Sequence, residues 1–216
     1  MKRHLFARPA PFLVLALLAS ACQSSAGSGE ATGKNVIKAA DGIQLGITQL
    51  DATLAALTSL VNEPGQDLEP QFKAFSKHLD QLDSTAKKVR DASASMDGKG
   101  KAYFADWDKQ VAAIQNEDIK ERSAERLKAV EAAFSKIQSQ YGEARDTFKP
   151  LLNDLLDIRT ALKSDLTQEG VAAAKKPVKK VNSEAEDVRE DLQELADSFR
   201  SLGVKMSARA EQTEKK

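Results

Sequence analysis

The chain has 216 residues, of which 41% are hydrophobic, 30% charged and only 5% aromatic. Lys and Arg together number 32 and so do Asp and Glu, so no global charge draws the chain to nucleic acid, and none is expected as a partner. With 11 Gly, 6 Pro and a single Cys, the composition argues against a turn-rich all-β fold, an internal disulfide and a multi-cysteine zinc site.

The first element is an export signal, expected over residues 1–21. Lys2, Arg3 and Arg8 form a basic start, Phe12 to Leu18 a short apolar run, and Ala19-Ser20-Ala21 a small-residue cleavage zone. The run is too short for a membrane-spanning helix, and the polar residues from Gln23 to Gly29 do not extend it. Cys22 follows directly. The order Leu18-Ala19-Ser20-Ala21-Cys22 resembles the bacterial lipobox, whose cysteine receives a diacylglycerol and becomes the new N-terminus. Ala19 stands where that motif most often has Leu. The simpler alternative is a secretory cut near Ala21 that leaves Cys22 a free thiol. On the lipobox reading, Cys22 is the lipidation site and the membrane is reached through its acyl chains. Each buried CH₂ contributes about 0.8 kcal/mol, so two or three chains anchor stably. Gln23 is not the Asp that retains such proteins in the inner membrane of Gram-negative cells, so the resemblance points to the outer membrane, facing the periplasm. Removing Lys2, Arg3, Arg8 and no acid leaves 29 basic and 32 acidic residues, a net charge of −3. Residues 22–34 have the small, polar, Gly/Ser-rich composition of a flexible tether.

A helical body is expected over residues 35–206. Val36, Ala40, Ile43, Ile47, Leu50, Leu54, Leu57 and Val61 alternate gaps of four and three, the 3.5-residue repeat of a bundle seam. Asn62-Glu63-Pro64-Gly65 ends that helix. Leu68, Phe72, Phe75, Leu79, Leu82, Ala86, Val89, Ser93 and Met96 form the second seam, with a turn expected at Asp97-Gly98-Lys99-Gly100. A shorter stretch carries Phe104, Trp107, Val111 and Ile114. The register slips around residues 115–119, where Asn116 is a good N-cap and a break or kink is expected. The longest seam runs from Leu127 through Val130, Phe134, Ile137, Tyr141 and Ala144 to Leu162, with Pro150 expected to kink it. Thr167 to Gly170 turns the chain. Val171, Ala174, Val178, Val181, Ala185, Val188, Leu192, Leu195, Phe199, Leu202 and Met206 form the last seam, and residues 207–216 are expected to fray into a disordered tail.

The expected fold is therefore all-α: an elongated antiparallel bundle, a coiled-coil-like rod of four to five long helices with no strands. Many seam positions are Ala or Ser, which permit close approach but bury little apolar area.

Candidate chemistry is sparse. His78 is the only histidine after the signal, and no metal-binding partner stands one helical turn away, so no metal, cofactor or catalytic triad is expected. The stretch 97–101, DGKGK, lacks the pattern of a phosphate loop and is taken as an interhelix turn. The acidic stretch 184–194 lacks calcium-loop spacing and belongs to the wet face of the last helix. The basic patch Lys175-Lys176-Pro177-Val178-Lys179-Lys180 could meet an acidic partner, but a solvated helix start is the simpler reading. Lys215-Lys216 resembles the ending of the major outer-membrane lipoprotein of enteric bacteria, whose terminal lysine is joined to peptidoglycan; a plain soluble tail is the alternative.

Three longer stretches carry a wider resemblance: residues 60–89 with the Asn62 to Gly65 turn, residues 103–127 with the run FADW, and residues 141–166 with Pro150-Leu151-Leu152. From about residue 35 to 205 the chain resembles the bacterial family called domain of unknown function 2959 (DUF2959). That resemblance implies an exported, long α-helical protein, often with a lipobox, and assigns no activity and no catalytic residue. The expected function is a non-enzymatic helical scaffold or spacer binding an envelope protein or peptidoglycan. One alternative is a carrier of an apolar ligand between the Ala-rich seams, which requires an internal cavity. A carboxylate-based enzyme, which requires paired acids in a cleft, is the other.

Overall fold

The computed structural model describes the backbone of residues 28–213 and, Lys99 aside, the side chains of residues 36–204. The export signal, Cys22 and Lys216 lie outside the described residues. Within them the chain forms four long helices and one short one and no strand: α1 (Ser28–Asn62), α2 (Glu69–Ala112), α3 (Glu117–Ser164), α4 (Gln168–Ala173) and α5 (Lys175–Thr213). The long helices have 35, 44, 48 and 39 residues, so they extend about 50–70 Å at 1.5 Å per residue.

Short connections make successive helices antiparallel. Around the bundle α1 packs on α2 and α5, and α3 packs on α2 and α5. The α1–α5 contact is the most extensive and the α2–α3 contact the least. Cross-helix bonds fix the register. Arg189 meets Asp51 at 2.6 Å and Asn182 donates to Thr58 at 3.1 Å between α5 and α1. Thr147 donates to Asp191 at 2.7 Å between α3 and α5.

The helix ends follow from local chemistry. The α1–α2 turn is clamped by Gln71, whose amide nitrogen donates to Glu63 at 3.1 Å and whose oxygen accepts from Gly65 at 2.9 Å. Asn116 caps α3, accepting from the Ile119 N–H at 3.0 Å, so the register slip at 115–119 is a turn between separate helices. Thr167 caps α4, accepting from the Gly170 N–H at 3.1 Å. The short α4 and the long α5 part at Ala174 because Pro177 has no N–H for the carbonyl four residues back. Pro150 lies inside α3 and does not end it, although the Asp146 carbonyl loses its helical donor.

The core lies where the seams predict. Ala40, Ile43, Ile47, Leu50, Leu54, Leu57 and Val61 are all buried on α1, as are Leu151, Leu155, Ile158 and Leu162 on α3 and Val171 to Val188 at the same spacing beyond it. One cluster fills the half of the bundle near the α1–α2 turn, around Phe75 and Leu155. The second lies toward the α2–α3 turn, around Trp107, Ile137 and Phe199. Tyr103, Phe104, Trp107 and Phe134 make edge-to-face contacts there, with ring centres 5.3 to 5.7 Å apart.

Three expectations are corrected. Asp97-Gly98-Lys99-Gly100 is not a turn, since α2 continues unbroken from Glu69 to Ala112. Two interior glycines cost about 1 kcal/mol each relative to Ala. At Gly100, however, the missing side chain makes room for the Phe134 ring, whose tip would lie 2.4 Å from a Cβ there. Asp97 adds an ion pair with Lys101 at 2.9 Å and accepts from Gln138 of α3 at 2.6 Å. The tether composition of residues 22–34 gives way to helix from Ser28, and the tail expected from residue 207 is helical to Thr213. In both places a nucleated helix adds one hydrogen bond per residue, which outweighs weak local propensity.

Candidate functional site

Between Leu82 and Trp107, α2 has no buried residue among those described. Ala86, Val89, Ser93 and Met96 keep the seam phase but are only half-buried. Opposite them α1 presents Gly42 and Gly46, and α3 presents Ala144. Small residues thus face small residues at one level of the rod. The helix axes are held apart by the larger cores on either side, so the space between them stays open. The result is a cavity of about 550 Å³. That lies within the range of about 300–1,000 Å³ typical of small-molecule pockets.

Ile43, Leu82, Val89, Phe148, Leu152 and Leu195 supply apolar walls from all four long helices. A Cβ built on Gly46 would meet no heavy atom within 4 Å, so this glycine borders empty space. Of the seam alanines expected to bring helices together, Ala40, Ala144 and Ala185 are buried, whereas Ala86 is half-buried and lines the cavity with Ala144.

The charged lining residues all belong to α2 and α3, which places the mouth between these two least-packed helices. On α2 they are Asp83, Lys87 and Arg90; on α3 they are Arg145, Asp146 and Lys149. Asp83 pairs with Lys87 at 2.6 Å, and Asp146 pairs with Arg145 at 2.7 Å. Arg90 pairs with Asp91 at 3.2 Å. Lys149 is exposed and has no polar partner among the described residues.

Two α2–α3 bridges bracket the mouth. Arg159 donates to Asp80 at 2.5 Å on one side, and Gln138 donates to Asp97 at 2.6 Å on the other. Along α2 they stand about 25 Å apart. Asp97 is held below its ordinary 3.8, first by the Lys101 hydrogen bond; slight desolvation opposes this, while the Lys101 charge and the Gln138 N–H add to it.

The ionisable side chains of the other candidates do not line this site. His78 is half-buried one turn before Leu82 on α2, outside the lining, and the described residues hold no group of three or more His, Cys, Asp or Glu able to bind a metal. The acidic stretch 184–194 turns Val188 inward and Glu186, Asp187, Glu190 and Glu194 outward. In the basic patch, Lys180 is engaged by Asp154 at 2.6 Å and Glu184 at 3.2 Å, and these hydrogen bonds raise its pKa above 10.5. The glycine pair Gly42 and Gly46 went unread in the sequence, although glycine repeated on one face of a long helix signals either close approach or unfilled space.

Residues 30–202 match the family model described as "Protein of unknown function (DUF2959)". The chain belongs to this family. No curated protein and no solved structure matches it. The matched span covers α2 and α3 entirely, nearly all of α1, most of α5 and every residue lining the cavity, so the bundle is the DUF2959 unit.

Proposed function

We propose that this DUF2959 protein is a non-catalytic envelope lipoprotein, anchored through Cys22, whose bundle takes up an apolar ligand in the cavity between α2 and α3. The observation that carries the reading is the cavity itself, which has apolar walls on four helices and a glycine facing empty space. A pure spacer gains nothing from such a void. Filling it with larger seam residues would add apolar contact and stability. The acids at the mouth, Asp83 and Asp146, are each held by a cation, which supports a binding role over carboxylate catalysis.

The topology suits an anchor. The start of α1, the α2–α3 turn and the end of α5 share one end of the rod. Cys22 precedes Ser28 by six residues, so an acylated Cys22 would hold that end near the bilayer. Gly46 lies about 27 Å further along α1, clear of the head groups. No described helix is long and apolar enough to cross a membrane. The rod length also favours a second role as a spacer presenting helix faces to an envelope protein or peptidoglycan.

Two experiments test these parts separately. Metabolic labelling with a fatty acid should mark the wild type and not Cys22→Ser; unlabelled wild type refutes the anchor. Titration of the purified full chain with dodecanol should show one saturable site, lost in Gly46→Leu with helicity unchanged. No saturable binding refutes the carrier.

A further inference from the structure

The mouth of the cavity has a charge imbalance that the walls do not explain. Four cations line it, Lys87, Arg90, Arg145 and Lys149, against two acids, Asp83 and Asp146. Arg145 shares its guanidinium with the adjacent Asp146, and Lys87 is one turn from Asp83. Lys149 is left unpaired among the described residues, at the edge of the apolar walls.

The shape is also specific. The lining residues run from Leu82 to Arg90 on α2 and from Tyr141 to Leu152 on α3, about 12 and 16 Å along the helices. The space is therefore elongated along the rod, apolar within, and positive where it opens. A ligand that matches all three properties has one extended hydrocarbon chain and a negative head.

We propose that this cavity binds a single-chain amphiphile with an anionic head, the chain lying between α1, α2 and α3 and the head meeting Lys149 and Arg145 at the mouth. This rests on the apolar-ligand reading above and adds the head group. A neutral amphiphile would leave Lys149 unpaired. A cationic one would face a net positive rim. An anionic head gains a charge-assisted hydrogen bond from a lysine that is already free to make it. The walls recognise no particular chain, so affinity should follow chain length, at about fourfold per added CH₂ until the space is filled.

The test is calorimetric titration of the full chain with dodecanoate, dodecanol and dodecyltrimethylammonium, each below its micelle concentration. Dodecanoate should bind one per chain, roughly fivefold tighter than dodecanol, with the cation weakest. High salt should erode the dodecanoate advantage and spare dodecanol. Lys149→Glu should remove that advantage and leave dodecanol binding unchanged, whereas the remote exchange Lys175→Glu should alter neither. Equal affinity for dodecanoate and dodecanol, or indifference to Lys149→Glu, overturns the head-group assignment and leaves the apolar-ligand reading standing. Preference for the cation overturns it as well. Failure of all three ligands to bind refutes the apolar-ligand reading itself. Binding that persists in Gly46→Leu at several ligands per chain marks adsorption to the outer surface and overturns both.

Discussion

Replacing Gly46 with alanine should stabilise the protein. Gly46 sits in the interior of α1, where glycine is about 1 kcal/mol less favourable than alanine because it frees the unfolded backbone. The usual reason for keeping such a glycine is a close neighbour, yet the added Cβ would meet no heavy atom within 4 Å. The gain is therefore about 0.5–1 kcal/mol, or about 1–4 °C in melting temperature for a chain of this size. Gly98→Ala serves as a control, because that site is also helical and open but lies away from the cavity. Gly170→Ala should move the other way. Its Cβ would fall 2.2 Å from the Asp165 carbonyl oxygen, a backbone atom that cannot turn aside, at a cost of about 1–3 kcal/mol. Urea unfolding followed by circular dichroism, with unchanged slopes, reads all three. Should Gly46→Ala destabilise while Gly98→Ala stabilises, some group packs against Gly46, and the cavity at that level is disproved.

Phe75→Ala should cost about 3–5 kcal/mol, because the ring is fully buried in the cluster near the α1–α2 turn; a loss below 1 kcal/mol in urea would show that cluster to be loosely packed. Asn116→Ala should cost about 1 kcal/mol by removing the cap on the Ile119 N–H, and Asn116→Asp should recover most of it. Asp97 should make stability pH-dependent. Its folded pKa is depressed, so its contribution is present above the ordinary 3.8 and is lost as pH falls through the lower folded value. The urea midpoint of Asp97→Asn should therefore lie below wild type at neutral pH and converge with it in acid. A gap that stays constant across the acid range would mean that Asp97 makes no charge-dependent contact in the fold.

The seams of α1, α3 and α5 were legible because their apolar residues are large and keep phase over many turns. Ile47, Leu155 and Val181 could hardly face anywhere but inward. The slip at Asn116 was legible for the same reason, since a broken phase and a capping residue coincide there. Glycine misled in opposite directions. At Gly98 and Gly100 it suggested a turn, because sequence shows only the local cost; the Phe134 ring that occupies the space above Gly100 comes from another helix. At Gly42 and Gly46 it went unnoticed, because the helix around it is strongly in phase. On α3 the heptad placed Tyr141 inward, yet Gln140 is the more deeply buried of the two, and Tyr141 lines the cavity instead. A void between helices is a property of register. It requires Gly46, Ala86 and Ala144 to fall at one height on three separate helices, and that height is set by turn lengths and by the cores above and below. A single-chain pattern counts small residues without saying whether they meet each other or a larger side chain. Here they meet each other, which turns what a seam alone would present as weak packing into room for a ligand.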